Sequence, residues 1–233
     1  MPFYFDTTYF LVIIGAIICM IASARVKSTF QKYSSYRSYS GMTGAQAADR
    51  ILKNAGIYDV QIRHIPGNLN DHYDPRNKTL SLSDSVYNST SVAAIGVAAH
   101  ECGHAIQHAT KYVPLSLRSA FVPIANIGST LAWPVILIGL FINSSSSATI
   151  INIGIFLFSF AVIFQLITLP VEFNASSRAL VKLKETGILQ ANEVGNARKV
   201  LSAAALTYVA SAAAAILQLL RIVLLFGGRR RDD

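Results

Sequence analysis

Charged residues are scarce in this chain. They make up 14% of its 233 residues, whereas hydrophobic residues make up 52% and the mean hydropathy is +0.44. Soluble domains carry about 25% charged residues, so the composition excludes an ordinary soluble protein and indicates an integral membrane protein. Acidic residues number 12 against 20 basic ones, for a net charge of +8. The basic residues flank apolar runs, so we interpret them as topology determinants and lipid-headgroup contacts and expect no nucleic acid partner.

Cysteine is nearly absent, and so is a basic segment at the start of the chain. The two cysteines, Cys19 and Cys102, lie in different kinds of segment and provide no disulfide framework, which fits a reducing compartment. The first apolar run, residues 9–24, has no basic region before it and is followed by Arg25 and Lys27. A cleaved signal peptide would show the opposite pattern, so we predict an uncleaved membrane anchor with its N-terminus outside.

The most informative segment is His100-Glu101-Cys102-Gly103-His104, an H-E-x-x-H sequence inside an apolar run that is typical of a helix. Residues four apart lie on one helix face, about 5–6 Å between their Cβ atoms. This spacing lets two imidazoles bind one tetrahedral zinc ion, with Glu101 placed to act as general base toward a water molecule. The alternative is a helix whose histidines are merely hydrogen-bonded.

Two neighbours of the motif could also bind a metal. Cys102 is a possible ligand by type, but it lies about 200° around the helix from His100 and is better interpreted as a packed thiol. His108 continues the series of fours, yet each step of four drifts by about 40°. We therefore expect His108 to support the site or lie at the surface.

The region before the motif is more polar and predicts a small α+β domain. Residues 43–55 are typical of a helix that ends at Gly56. Residues 60–65 and 79–83 alternate in the manner of strands. The second of these strands could be an exposed edge that holds an extended peptide by strand addition. The motif helix is expected over residues 91–110, with a serine or threonine at its N-cap.

Two long apolar runs follow the motif. Residues 121–142 and 148–169 are long enough to span a membrane, and residues 143–147 form an uncharged loop between them. Because basic residues flank this hairpin but are missing from its loop, the flanks are predicted to be cytoplasmic. Pro170 is predicted to close the third span. The last apolar run, residues 203–226, could span, pack on the catalytic domain or lie along the interface.

A catalytic zinc site needs a third protein ligand and one open position. Three histidines, His64, His72 and His108, are candidates, and so is Glu172, which follows the third apolar run. On its position alone, Glu172 is better interpreted as an acid that stabilises the N-terminus of a helix after Pro170.

Other segments of the chain, taken together with the motif, resemble a known family of enzymes. His-Glu-x-Gly-His followed, after a predicted hairpin, by Glu172-x-x-Ala175 resembles the gluzincin membrane proteases, which include the CAAX prenyl endopeptidases and the heat-shock-induced bacterial membrane protease. The chain resembles more closely the YugP-type bacterial zinc-dependent membrane peptidases, and similarity of arrangement covers most of it. The segments that carry the resemblance are residues 71–75, 82–83, 97–107 and 169–179.

The resemblance implies specific roles. His100, His104 and Glu172 would bind one Zn²⁺ per chain, and Glu101 would be the general base. The better-known relatives have an aspartate four residues after that third ligand, where this chain has Ser176. A hydroxyl can accept a hydrogen bond from imidazole but brings no charge, so no role is carried over to Ser176. Arg178, His72 and His108 are candidates for stabilising the transition state.

These observations predict an α-helical integral membrane protein with a small α+β, zincin-like catalytic domain built on the HExxH helix. The predicted order is an anchor over residues 1–24, a cytoplasmic zincin-like region over 25–120 and a transmembrane hairpin over 121–170. A cytoplasmic helix with the third zinc ligand follows over 171–202. Residues 203–233 form an apolar helix, a possible fourth span, and a basic tail.

The predicted function is a multi-pass zinc metalloendopeptidase of the bacterial cytoplasmic membrane. Glu172 follows the third apolar run so closely that the site is expected at the cytoplasmic membrane surface. Its partners would be the lipid bilayer and a membrane protein or peptide substrate. One alternative is a zinc hydrolase of a non-peptide or lipid-linked amide. Another is a non-catalytic membrane scaffold with a structural metal. The presence of Glu101, the residue type expected of a general base, argues against this second alternative.

Overall fold

A computed structural model describes residues 6–142 and 146–226 of the chain. Helices predominate in this part, and three short strands form one sheet. The elements, in chain order, are α1 Tyr9–Ser34, α2 Gly44–Asn54, β1 Gln61–Ile65, β2 His72–Asp74, β3 Thr79–Ser83, α3 Val92–Ala109, α4 Val113–Phe141, α5 Ser147–Glu185 and α6 Ala191–Phe226.

The chain divides into two compact units. One, here called the apolar unit, comprises Met1–Ile21, Leu117–Leu169 and Thr207–Asp233. The other, here called the sheet unit, comprises Ala22–Ser116 and Pro170–Leu206. The helices α1, α4, α5 and α6 each run from one unit into the other.

The apolar unit holds the long apolar segments. All four helices that enter it are long and apolar enough to cross a membrane. Within this unit, the rings of Phe121 in α4 and Phe160 in α5 pack edge to face with centroids 6.0 Å apart. The undecided run over residues 203–226 is part of the continuous helix α6. Its one charged side chain, Arg221, lies with its guanidinium carbon 4.3 Å from the ring centroid of Tyr9, a cation–π contact that accommodates the charge.

The sheet unit is built around α3. The predicted helix before Gly56 is α2, whose N-cap Thr43 and N3 residue Gln46 form a reciprocal capping box. The chain leaves α2 through Gly56 at a φ of +73°, a left-handed conformation that glycine adopts without strain. Apolar side chains of α2, α3, the sheet and α5 form one buried core, in which Ile51, Leu82 and Ile95 are fully enclosed. This core holds α3 rigidly in the unit.

The strand over residues 79–83 is not an edge strand. It is β3, the central strand of the sheet, and it pairs in parallel with β1 and antiparallel with β2. All five of its residues are buried. The prediction that a peptide could add to this strand is therefore wrong, because the hydrogen-bonding groups on both sides of it are already used.

Pro170 does not end a helix. The helix α5 continues through Pro170 to Glu185, so Glu172 lies inside a helix and the interpretation of Glu172 as a helix N-terminal acid is wrong. Proline removes one backbone hydrogen bond, but long apolar helices tolerate it where neighbouring groups compensate. The helix α4 likewise continues through Pro123 and Pro134.

Some sequence predictions lie outside the described residues. They concern most of the loop between α4 and α5, namely residues 143–145, and the basic tail over residues 229–231.

Candidate metal centre

The helix α3 carries the H-E-x-x-H motif as the sequence predicts. It begins after Ser91, whose side chain accepts a hydrogen bond from the backbone N–H of Ala94, and it ends before Thr110. The imidazoles of His100 and His104 lie one turn apart, with ring centroids 4.8 Å apart and the planes nearly perpendicular. Both rings are largely buried.

The helix α5 brings a carboxylate to the same place. Oε2 of Glu172 lies 3.2 Å from Nε2 of His100 and 3.4 Å from Nε2 of His104. One ligand atom from each of these three residues lies within 4.8 Å of the others. Two imidazole nitrogens and one carboxylate oxygen form a donor set that zinc favours in hydrolytic enzymes. The three side chains therefore fit one metal ion.

Gly103 allows the two helices to approach this closely. A Cβ atom at this position would lie 2.4 Å from the carbonyl oxygen of Ala175 on α5. A side chain of any size would push α3 away from α5 and would separate Glu172 from the histidines. The close contact of the two helices thus explains why a glycine stands between the two motif histidines, which the motif alone does not reveal.

A buried glutamine orients His104. Gln107 is fully buried, and its Nε2 donates hydrogen bonds to the carbonyl oxygen of Val171 (2.8 Å) and to Oδ1 of Asn174 (3.0 Å). These two bonds turn its Oε1 toward His104, where it accepts from Nδ1 at 3.0 Å. With the proton on Nδ1, a neutral His104 presents the lone pair of Nε2 toward Glu172.

Sequence reasoning did not find Gln107. A signal for it was present, because Gln107 follows His104 by three residues on one helix, a spacing at which side chains meet. What the spacing could not reveal was that Gln107 is buried against α5.

Ser176 orients the other histidine. Its Oγ lies 3.1 Å from Nδ1 of His100, one helical turn after Glu172 on α5. In the better-known proteases that the chain resembles, an aspartate stands at the position of this serine. The Ser176 hydroxyl can accept the Nδ1 proton of His100, but it adds no negative charge to the imidazole.

The motif glutamate lies in a dry environment. Glu101 is 8% exposed, and this burial raises its pKa, against the opposing effect of His100 and His104. Burial lowers the pKa of His104, but the hydrogen bond with Glu172 and the charge of Glu101 outweigh it, so that the pKa is raised overall. Two carboxylates next to two imidazoles thus favour a positive charge at this point, as a cation site requires.

The other candidate ligands are engaged elsewhere. Nε2 of His64 lies 2.7 Å from Oδ1 of Asp84, and Nδ1 of His72 lies 3.0 Å from the carbonyl oxygen of Asn70. Nδ1 of His108 lies 2.9 Å from the hydroxyl of Tyr73. None of these three histidines belongs to the donor set that the described residues form.

Two further candidates have structural contacts. The Cys102 thiol is buried and lies 3.6 Å from the carbonyl oxygen of Ala48, in agreement with the prediction of a packed thiol. The Nε of Arg178 donates to Oδ1 of Asn174 at 2.7 Å, and its guanidinium lies 5.6 Å from the ring centroid of Tyr112. Asn174 thereby joins Arg178 to the buried glutamine that orients His104.

Replacing Gln107 by leucine should weaken zinc binding by about 10- to 100-fold, because the Nδ1 proton of His104 loses its acceptor. The dissociation constant for zinc, measured by chelator competition, tests this expectation. Gln190→Leu is the matched control, since Gln190 is exposed and outside the site. Unchanged zinc affinity in Gln107→Leu would show that this glutamine serves only packing.

Two comparisons with known proteins found relatives of this chain. A family model described as "Putative neutral zinc metallopeptidase" matches residues 8–227. A protein of Bacillus subtilis (strain 168), named "Putative membrane protease YugP", is 48% identical over 224 residues, which cover 96% of this chain and 98% of that protein. No solved structure matches the chain significantly.

Proposed function

The chain belongs to the neutral zinc metallopeptidase family, and from this premise we propose that it hydrolyses peptide bonds at the cytoplasmic surface of the cell membrane. It is a membrane metalloprotease by family and by the four membrane-capable helices that its described residues form. The observation that carries the finer proposal is the convergence of His100, His104 and Glu172 from two helices.

In this proposal, the three converging side chains hold one zinc ion and Glu101 is the general base. Bound zinc would supply a Lewis acid for the scissile carbonyl and for a water molecule. Glu101 accepts the proton of the attacking water and delivers it to the leaving amine. The raised pKa of Glu101 suits this role, because a carboxylate must bind the proton before it can pass it on.

The residues around the ligands keep the donor set in place. Gln107 and Ser176 hold the Nδ1 atoms of His104 and His100, so both Nε2 atoms point the same way. Close contact at Gly103 keeps α5, and with it Glu172, against α3. Such preorganisation limits the cost of assembling the ligands when the metal binds. The arrangement resembles the zincin type of catalytic helix.

An extended substrate could pair with an outer strand of the sheet. We assign this role to β2 rather than β1, because Tyr73 of β2 is hydrogen-bonded to His108, one turn beyond His104 on α3. An extended peptide beside β2 would run along the metal helix. Main-chain hydrogen bonds would bind it with little dependence on its sequence.

The position of Glu172 supports a site near the membrane boundary. It is the first charged residue after the apolar stretch of α5, and Leu169 precedes it by three positions. At about 1.5 Å of rise per residue, its backbone lies within about 5 Å of the end of that stretch along the helix axis. Segments of membrane proteins close to the bilayer are therefore the proposed substrates.

Metal removal tests the proposal. Purified full-length protein should contain about one zinc per chain, and a peptide library should be cleaved by the wild type. Cleavage should cease after zinc is removed with a chelator and return when one equivalent of zinc is added. Zinc-free protein that still cleaves the same peptides would contradict a metal-dependent peptidase.

Cysteine labelling tests the orientation. In a background with Cys19→Ala and Cys102→Ala, a membrane-impermeant maleimide should label Ser146→Cys in intact cells. Ser35→Cys should be labelled only after permeabilisation, because basic residues favour the cytoplasmic side. Both positions are exposed. Labelling of Ser35→Cys from outside would reverse the proposed topology.

A further inference from the structure

A basic cavity lies in the sheet unit between the C-terminal half of α1 and the N-terminal half of α6. It is open, has a volume of about 360 Å³, and four of its lining residues are cationic. They are Arg25 and Lys32 from α1, and Arg198 and Lys199 from α6. The proposed zinc site uses none of them.

A buried tyrosine fixes the geometry of this cavity. Tyr33 is 6% exposed and packs against Ala93 of α3 and Val200 of α6. The ammonium groups of Lys32 and Lys199 lie 5.6 and 5.8 Å from the centroid of its ring. One lysine from each helix thus lies beside the same ring, where α1 and α6 are held side by side.

Neither α1 nor α6 pairs these cations with a carboxylate. The helix α1 contains no acidic residue, and α6 contains only Glu193, which accepts hydrogen bonds from the backbone N–H groups of Tyr39 and Gln190. Within residues 6–142 and 146–226, no ion pair is formed by any of the four cations. Positive side chains that line one cavity without ion-pair partners among the described residues repel one another, and an anion would relieve this repulsion.

The cations lie where the apolar stretch of each helix ends. On α1, Arg25 directly follows a stretch without charged residues over 9–24, and on α6 such a stretch begins at Val200, directly after Lys199. Apolar segments of this length match the hydrocarbon core, so positions just beyond them match the level of the lipid headgroups. The anion most abundant at this level is the phosphate of an anionic lipid.

A second cavity, next to the basic one, offers a place for the acyl chain of a lipid. It has a volume of about 270 Å³ and is lined mainly by apolar side chains such as Phe173, Leu180 and Leu201. It shares Arg198, Ser202 and Leu206 of α6 with the basic cavity. Arg198 therefore stands between a place for an anion and a place for a hydrocarbon chain. Inorganic phosphate would fill only the first, whereas a phospholipid would fill both.

From this juxtaposition we propose that the cleft between α1 and α6 binds one anionic phospholipid. The phosphate contacts Arg25, Lys32, Arg198 and Lys199, and part of an acyl chain occupies the adjacent apolar cavity. Arginine suits this role because its guanidinium can bind a phosphate through two parallel hydrogen bonds. The bound lipid links α1 to α6 beside α3.

Lipid titration of the full-length protein in a neutral detergent tests this proposal. The probes are phosphatidylglycerol, phosphatidylcholine with the same acyl chains, and inorganic phosphate, with binding measured by native mass spectrometry and by the thermal unfolding midpoint. Phosphatidylglycerol should bind and raise the midpoint, phosphatidylcholine should bind at least tenfold more weakly, and millimolar inorganic phosphate should not compete. Competition by inorganic phosphate would overturn the lipid assignment in favour of a free anion.

Paired charge removals locate the site. The double variant Arg198→Gln/Lys199→Gln should weaken phosphatidylglycerol binding by about 10- to 30-fold, as expected for two basic contacts at a lipid headgroup. The double variant Arg25→Gln/Lys32→Gln, on the opposite wall of the cavity, should weaken phosphatidylglycerol binding to a similar extent. It replaces the first variant if that one does not fold. Lys27→Gln/Lys184→Gln removes the same charge at exposed positions outside the cavity and should bind like the wild type. Equal weakening in all three double variants would show unspecific attraction and overturn the proposal.

Discussion

Replacing Glu101 by glutamine should leave zinc bound and lower peptide hydrolysis by about 10²- to 10⁴-fold, the usual contribution of a general base. The amide has nearly the same shape as the carboxylate, but it cannot accept the proton of the attacking water. Zinc content and turnover on the same preparation test the expectation together.

Glu185→Gln is the matched control for this experiment. Glu185 is exposed on α5 and contacts Lys182 at 2.8 Å, an ion pair of little energetic weight. The control should keep both zinc and turnover. If Glu101→Gln hydrolyses peptides at a rate close to that of the wild type, the general base must be another group.

Replacing Glu172 by alanine should remove the zinc. Binding free energies for protein zinc sites are on the order of 12 kcal/mol, so the loss of one of three protein ligands is expected to weaken binding by roughly a thousandfold or more. Metal analysis after dialysis against a weak chelator measures this effect. Glu172→Gln should behave similarly, since the amide oxygen is a poorer ligand than a carboxylate.

Folding must be checked separately, because Glu172 is buried against His100 and His104. Circular dichroism and thermal unfolding of the variants provide this check, and Glu185→Ala on the same helix is the control. Full zinc occupancy in a folded Glu172→Ala protein would reject Glu172 as a ligand. The search would then return to the three histidines outside the motif, His64, His72 and His108.

The two expectations address different parts of the proposed chemistry. Loss of turnover with zinc retained concerns proton transfer at Glu101, whereas loss of zinc concerns the donor set. If Glu101→Gln keeps its turnover while Glu172→Ala loses its zinc, the metal centre is supported and the proton acceptor is another group.

Local features of the sequence determined the motif helix and its cap. The spacing of His100 and His104 is a property of any helix, because residues four apart share a face whatever surrounds them. The serine before α3 and the capping box of α2 act within one turn of the chain and are equally local. The membrane-capable segments could be recognised for a similar reason, since the length of an apolar run is counted along the chain.

Only the tertiary structure decided what lies opposite the motif. Glu172 joins the two histidines because α3 and α5 touch at Gly103, a contact between residues far apart in the sequence. The same packing buries Gln107 and brings Ser176 to His100. No periodicity encodes such a contact, because it depends on how two helices fit together.

The errors have the same origin. Alternation predicted the strand over residues 79–83, but strand order depends on its partners, and β3 became central because β1 and β2 both pair with it. The position of Glu172 just after Pro170 favoured an acid at a helix N-terminus, yet α5 continues through Pro170. Short-range stereochemistry therefore determined which segments fold and which side chains share a face, whereas the packing of distant segments decided which faces meet and so which carboxylate lies beside the two motif histidines.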